Sequence, residues 1–188
     1  MKKENNQYLS ELIVALESFN SSPSLNCQIE NLANLILTTT LDNKLTAIFG
    51  NGGSAADAQH FSAELVGKYQ KNNRRPFKSI ALTTDTSFLT AWSNDFDFAT
   101  IFERQIQAFA ENIGLCIALS TSGTSINVLK GLEISNSYGI SNFLITGKDC
   151  PEHSFIKNII RLPSNDTSIV QTLSQVMYHL VCVKLEEY

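Results

Sequence analysis

Tyr8, Leu9, Leu12, Ile13, Leu16 and Phe19 recur at the spacing of one helix face, and the run Asn20-Ser21-Ser22-Pro23 ends the pattern. A second helix is expected from about Asn26 to Leu41. At Leu45 the periodicity changes. Leu45-Thr46-Ala47-Ile48-Phe49 is short, uncharged and apolar on both faces, and it runs into Gly50, as a strand buried in a parallel sheet would. Runs of the same kind return at 79–84, 115–120, 142–147 and 158–163. The stretches between them are long enough for crossover helices, expected at 54–68, 86–94 with a second piece at 99–110, 125–138 and 167–187. Strands alternating with helices predict an α/β fold, a parallel sheet covered on both faces.

The polar stretches 68–75 and 148–154 read as surface loops, and no linker, tandem repeat or low-complexity tract divides the chain. The expected organisation is one domain over residues 1–188, with N-terminal helices at 1–44 and an α/β core at 45–188.

Composition narrows the function. The net charge of −4 argues against a surface that neutralises many phosphates, so nucleic acid is not an expected partner. The apolar runs fall far short of the ~18 residues of a membrane helix, and the N-terminus lacks the apolar stretch of a secretion signal, so the expectation is a cytoplasmic protein with no membrane partner. Cys27, Cys116, Cys150 and Cys182 lie far apart with no C-x-x-C pair. Cys116 and Cys182 read as small buried hydrophobes, and Cys150, before Pro151, as an exposed loop residue. Charged residues make up only 17% of the chain, against roughly 25% in an ordinary soluble domain.

Two loops have the chemistry of a phosphate cradle. The first strand leads into Gly50-Asn51-Gly52-Gly53-Ser54, and the third into Ser120-Thr121-Ser122-Gly123-Thr124-Ser125, each followed by a helix. Glycines let the backbone approach an anion, hydroxyls donate to it, and a helix start offers free N–H groups and the positive end of its dipole. Neither loop matches G-x-G-x-x-G or the P-loop pattern. Taken singly, each is read equally well as a turn with Ser54 or Ser125 capping its helix. In a 2-1-3-4-5 strand order, however, strands one and three are neighbours whose crossovers leave to opposite faces, and the two loops meet at the switch point. A phosphate-bearing ligand is therefore favoured.

His60 and Glu64 stand four residues apart, one above the other on a helix, as metal ligands or acid/base groups can; an ordinary solvated pair is the competing reading. Gln171 and His179 share the last helix at a separation of about 12 Å of axial rise, too far to be called co-ligands on spacing alone. Lys68, Lys71, Arg74 and Arg75 read as a solvated basic loop, and Trp92 as packing.

The blocks Gly50-Asn-Gly-Gly-Ser-Ala-Ala-Asp-Ala-Gln-His-Phe-Ser-Ala-Glu64, 81–86, Asn94-Asp95 and Ser120-Thr-Ser-Gly-Thr-Ser125 resemble the sedoheptulose 7-phosphate isomerase (phosphoheptose isomerase) family of the sugar isomerase (SIS) fold. The resemblance runs from about Leu45 to the C-terminus. It implies a flavodoxin-like three-layer sandwich with a five-stranded parallel sheet and an N-terminal helical extension. It also implies a homotetramer, packed partly through the N-terminal helices, with active sites at subunit contacts and one Zn2+ per subunit. Carried over residue by residue, it gives the zinc ligands as His60, Glu64, Gln171 and His179. The contacts to a phosphorylated seven-carbon sugar become Asn51, Gly52, Gly53, Ser54, Asn94, Asp95, Ser120, Thr121, Ser122, Ser125 and Gln171.

The chain departs from the family pattern at Thr124, where Asn is common, at Ser174, where many members have His, and at Thr172 in the start of the last helix. The implied reaction is an aldose/ketose interconversion through an enediol, with Glu64 and His179 sharing the roles of base and acid in either order and zinc holding the sugar oxygens, in heptose supply for a bacterial lipopolysaccharide or capsule. A non-enzymatic SIS module, such as a sugar-phosphate sensor or a partner of the replication initiator, is the alternative from another class. Modules of that kind lack the acid at position 64 and the histidine at 179, so catalysis is the expected role. Isomerisation of another phosphosugar is the second alternative.

Overall fold

The computed structural model describes residues 2–188, with side chains described from residue 6 onward in the first helix. Helix α1 (Lys2–Asn20) ends in the predicted polar run. Helix α2 (Pro23–Leu41) starts three residues earlier than expected because Ser22 caps it and Pro23 occupies its first turn, where a missing N–H costs nothing. The strands are β1 (Leu45–Gly50), β2 (Ser79–Ala81), β3 (Ile113–Leu119), β4 (Ser141–Gly147) and β5 (Asn158–Leu162). Between and after them lie α3 (Gly53–Val66), α4 (Thr86–Asp95), a 3₁₀ turn at Phe98–Thr100 that leads into α5 (Ile101–Ala108), α6 (Ile126–Ser137) and α7 (Thr167–Leu185).

All pairings are parallel and the strand order is β2-β1-β3-β4-β5, the flavodoxin-like order expected. Strand β2 is three residues rather than six. It lies at the sheet edge, where Thr83 and Thr84 find side-chain and loop partners in place of a second strand. Alternation along the central strands divides the interior in two. Ile48, Leu115, Ile117 and Leu119 face a core with α1, α2, α3 and α7, while Ala47, Phe49, Cys116 and Ala118 face a second core with α5 and α6. Thus α3 and α6, which follow β1 and β3, cover opposite faces of the sheet, and the strand ends between them open outward.

Candidate active site

The register of β1 on β3 sets Gly50 opposite Leu119, so the two phosphate-cradle loops begin side by side. Gly50 is required by proximity: a Cβ there would stand 2.7 Å from the Leu119 carbonyl oxygen and 2.8 Å from the Ser54 Cβ. Above this contact lies a crevice of about 270 Å³, lined by Asn51, Gly53, Ser120, Thr121, Ser125 and Gln171. Larger cavities occur, including one of about 600 Å³ beside α2 lined by Gln28, Lys148 and Arg161, but that one contains none of the predicted site residues.

The capping explanation of the serines fails at both loops. Gly52 is the N-cap of α3, and Ser54 lies inside the helix; Ser125 is the N-cap of α6 but makes no capping hydrogen bond. Two helix starts therefore face one crevice without a side-chain cap, which leaves backbone donors and two dipole ends for an anion.

Each loop is braced from behind. The amides of Asn51 and Asn127 exchange two hydrogen bonds of 2.8 Å, with Asn127 only 3% exposed, tying the first loop to the helix of the second. The second loop is held at Thr121, whose carbonyl accepts from the Gly147 N–H at 3.0 Å, and at Gly123, whose carbonyl accepts from His153 Nε2 at 3.2 Å. Gly123 itself has a left-handed φ of +68° and packs against Cys150. Cys150 is buried, contrary to its reading as an exposed loop residue, because the 148–157 segment folds back under the second loop.

The second group of side chains lies where α3 packs on α7. His60 Nε2 stands 3.3 Å from Glu64 Oε1, and the His60 and His179 rings meet edge to face with centroids 5.2 Å apart. Tyr178 presents its hydroxyl to His60 Nδ1 at 2.9 Å, and Tyr69 stacks on His179 at 5.2 Å. Desolvation and the neighbouring His60 push the His179 imidazole below its ordinary value, against the opposing pull of Glu64. Burial raises the Asp57 carboxyl despite the Tyr178 hydrogen bond and the His60 charge.

Tyr69 is placed by the far end of α7. Glu186, a buried carboxylate, accepts backbone N–H bonds from Tyr69, Gln70 and Lys71 at 3.2, 2.8 and 3.0 Å and pairs with Arg74, 3.6 Å away. Arg74 in turn donates to the carbonyls of Glu64 and Leu65. The 68–75 stretch is therefore in part an anchored strap rather than a solvated basic loop. Burial alone would raise the Glu186 carboxyl, but the three N–H donors and Arg74 outweigh it and hold it below its ordinary value near 4.5.

Because the folded value is the lower one, this stabilisation is present above pH 4.5 and fades as pH falls through the folded value. Glu186→Gln is expected to cost about 2 kcal/mol at neutral pH, in proportion to hydrogen bonds made to a buried charge. Melting curves of both proteins should draw together as pH falls from 4.5 and converge only below the lower, folded value; a difference independent of pH would remove the charge from the explanation.

Not every predicted site residue joins these two groups. Gln171 lines the phosphate crevice, with its amide against Gly53. Ser122 is exposed and bonds Thr124 within its own loop. Asn94 and Asp95 are exposed at the end of α4, bonded to one another at 2.8 Å and outside the crevice lining. Trp92 packs between Phe88 and Phe96, as read from the sequence. Asn127, His153, Tyr178 and Tyr69 were not singled out by the sequence. Only Asn127 carried a local signal, a polar residue on the buried side of an apolar helix.

Among the described residues, no three or more His, Cys, Asp and Glu side chains stand as a group able to hold a metal ion. His60, Glu64 and His179 are neighbours whose donor atoms do not yet converge. Their chemistry, two imidazoles and a carboxylate, is a set that suits Zn2+, while Gln171 lines the phosphate crevice eight residues before His179 on α7. Among the described residues no helix is long and apolar enough to cross a membrane.

The SIS domain family matches residues 7–147. A phosphoheptose isomerase from Aquifex aeolicus is 43% identical over 161 residues, spanning 85% of this chain and 84% of the relative. Among solved structures, a phosphoheptose isomerase from Francisella tularensis superposes with a TM-score of 0.87 at 25% identity, covering 99% of this chain and 98% of its own. One from Neisseria gonorrhoeae gives 0.82 at 29% identity, covering 100% and 99%.

Proposed function

Because the chain belongs to the SIS domain family and is an enzyme of the phosphoheptose isomerase group, we propose that it converts sedoheptulose 7-phosphate to D-glycero-D-manno-heptose 7-phosphate. The carrying observation is the pair of uncapped helix starts facing one crevice, next to a Glu/His/His group on α3 and α7. The sugar phosphate is gripped between the loops at Asn51–Ser54 and Ser120–Ser125, away from the chemistry, and that binding orients C1 and C2 toward α3 and α7.

The reaction moves a proton from C1 of the ketose to C2. Glu64 takes the C1 proton, and the C–H electron pair forms the C1–C2 double bond as the carbonyl π pair moves to O2, giving the enediol. Protonated Glu64 returns that proton to C2, the C1–C2 double-bond pair forming the new C–H bond, while the O1 hydroxyl loses its proton and its O–H pair becomes the carbonyl at C1. His179, whose imidazole is biased toward its neutral form, relays protons between the two oxygens. His60, Glu64, Gln171 and His179 would hold one Zn2+ per subunit, which when bound supplies Lewis-acid stabilisation of the negative oxygen. The product is a heptose unit for a bacterial surface polysaccharide.

A homotetramer is part of the same proposal. Helix α1 leaves Leu9, Ile13 and Val14 at least half exposed, and Leu180 and Val183 are exposed beside His179. A chain with 17% charged residues has few charges to place on such faces. Sedimentation should give four chains per particle, and a monomer would return both features to being unexplained.

The deciding experiment is to purify the protein with its metal content measured, add sedoheptulose 7-phosphate and follow aldose formation. Turnover is expected; its absence in zinc-loaded protein sinks the substrate assignment.

A further inference from the structure

We propose that Tyr178 is a positioning residue for His60, holding its imidazole as the Nδ1–H tautomer so that the Nε2 lone pair points at Glu64. The Tyr178 ring is fully buried and fixed on three sides. It stacks on Phe61 with centroids 5.1 Å apart and an interplanar angle of 17°, and meets His60 and His179 edge to face at 5.4 and 4.9 Å. That packing sets the hydroxyl between His60 Nδ1, 2.9 Å away, and Asp57 Oδ1, 3.4 Å away.

The direction of the two bonds follows from counting protons. A tyrosine hydroxyl has one, and an ionised carboxylate can only accept. With Asp57 ionised and the 3.4 Å contact made, the hydroxyl donates to Asp57 and accepts the Nδ1 proton of His60; the opposite arrangement, a hydroxyl donating to Nδ1 while Nε2–H donates to Glu64, is what the tautomer measurement tells apart. With its proton on Nδ1, His60 is left with a bare Nε2, which faces Glu64 Oε1 at 3.3 Å. Two lone-pair carriers at that distance repel unless a proton or a cation lies between them. The chain Asp57, Tyr178, His60 thus does from the second layer what outer hydrogen bonds do for a liganding histidine: it selects the tautomer and fixes the ring. A buried tyrosine that merely satisfies its own hydroxyl would need only one of these partners. Residues 57 and 60 share one face of α3, while Tyr178 comes from α7, so the arrangement also fastens the two helices that carry the Glu/His/His group.

The affinity arm of the test rests on the proposed zinc site, and the tautomer arm does not. Metal-free protein labelled with ¹⁵N in its histidines, held well above the ordinary histidine pKa of about 6.5, reports the tautomer through long-range ¹H–¹⁵N couplings. His60 should appear as Nδ1–H in the parent protein and lose that bias in Tyr178→Phe, whose ring keeps the stacking on Phe61. Asp57→Asn, which retains an acceptor oxygen, should preserve the bias, whereas Asp57→Leu should remove it and stands in if the tyrosine variant fails to fold. Zinc affinity measured by chelator competition should fall by roughly 10- to 100-fold in Tyr178→Phe. An Nε2–H tautomer in the parent, or a bias unchanged by Tyr178→Phe, overturns the proposal. Zinc-free behaviour of the parent with the expected tautomer results would instead sink the metal reading and leave Tyr178 in its role.

Discussion

Glu64→Gln is expected to lower isomerisation by about two to four orders of magnitude, the range typical of losing a positioned general base. The amide is nearly isosteric with the carboxylate but cannot take up a proton. The change lies on α3, two turns and more from the phosphate loops, so the binding of inorganic phosphate as a competitor should be unaltered. Because Glu64 also belongs to the proposed ligand set, the assay is to be run with zinc in excess and bound zinc measured alongside. A rate that recovers with added zinc assigns the loss to the metal. A rate that stays low at full loading assigns it to the proton, and full activity in the variant ends the role of Glu64 as base.

The second large effect belongs to the phosphate end. At Gly123 the backbone has φ +68°, where an L side chain costs roughly 1–2 kcal/mol. An added Cβ would also collide with Cys150 Sγ and stand 3.0 Å from both Cys150 Cβ and Thr146 Oγ1. Gly123→Ala should therefore displace the loop whose hydroxyls and N–H groups face the crevice. The expected result is a KM for the sugar phosphate raised by at least about tenfold, at 1.4 kcal/mol per decade, with kcat much less affected because the reacting groups sit on α3 and α7. Cys150→Gly in the same chain removes the collision but not the backbone cost, so it should restore part of the affinity and not all. A uniform fall in kcat with KM unchanged would show that Ser120–Ser125 does not hold the phosphate.

Both predictions depend on residues that the chain displays unequally. Glu64 stands four residues after His60 in a helix that announces itself, so a close pair could be read directly. Cys150 could not. It sits beside a proline in a polar stretch, and only the return of the 148–157 segment beneath Gly123 buries it. Glu186 is similar: near the C-terminus it looks like a solvated charge, yet it collects three backbone N–H groups more than a hundred residues away. Position 94 and 95 show the reverse difficulty. Their motif is recognisable, but the structure leaves them exposed at the end of α4, outside the crevice lining.

The sequence by itself determined the order of helices and strands, because burial on both faces of a parallel strand and on one face of a helix leaves periods that survive in the order of residues. It also determined which loops could bind an anion, since that needs glycines and hydroxyls next to a helix start. Tertiary structure alone decided how those parts act together. The Asn51–Asn127 amide pair, the Gly123–His153 bond and the Asp57–Tyr178–His60 chain each join segments between 30 and 121 positions apart. Hydrogen-bond direction, tautomer and burial depend on distances across the fold, and no local period encodes them.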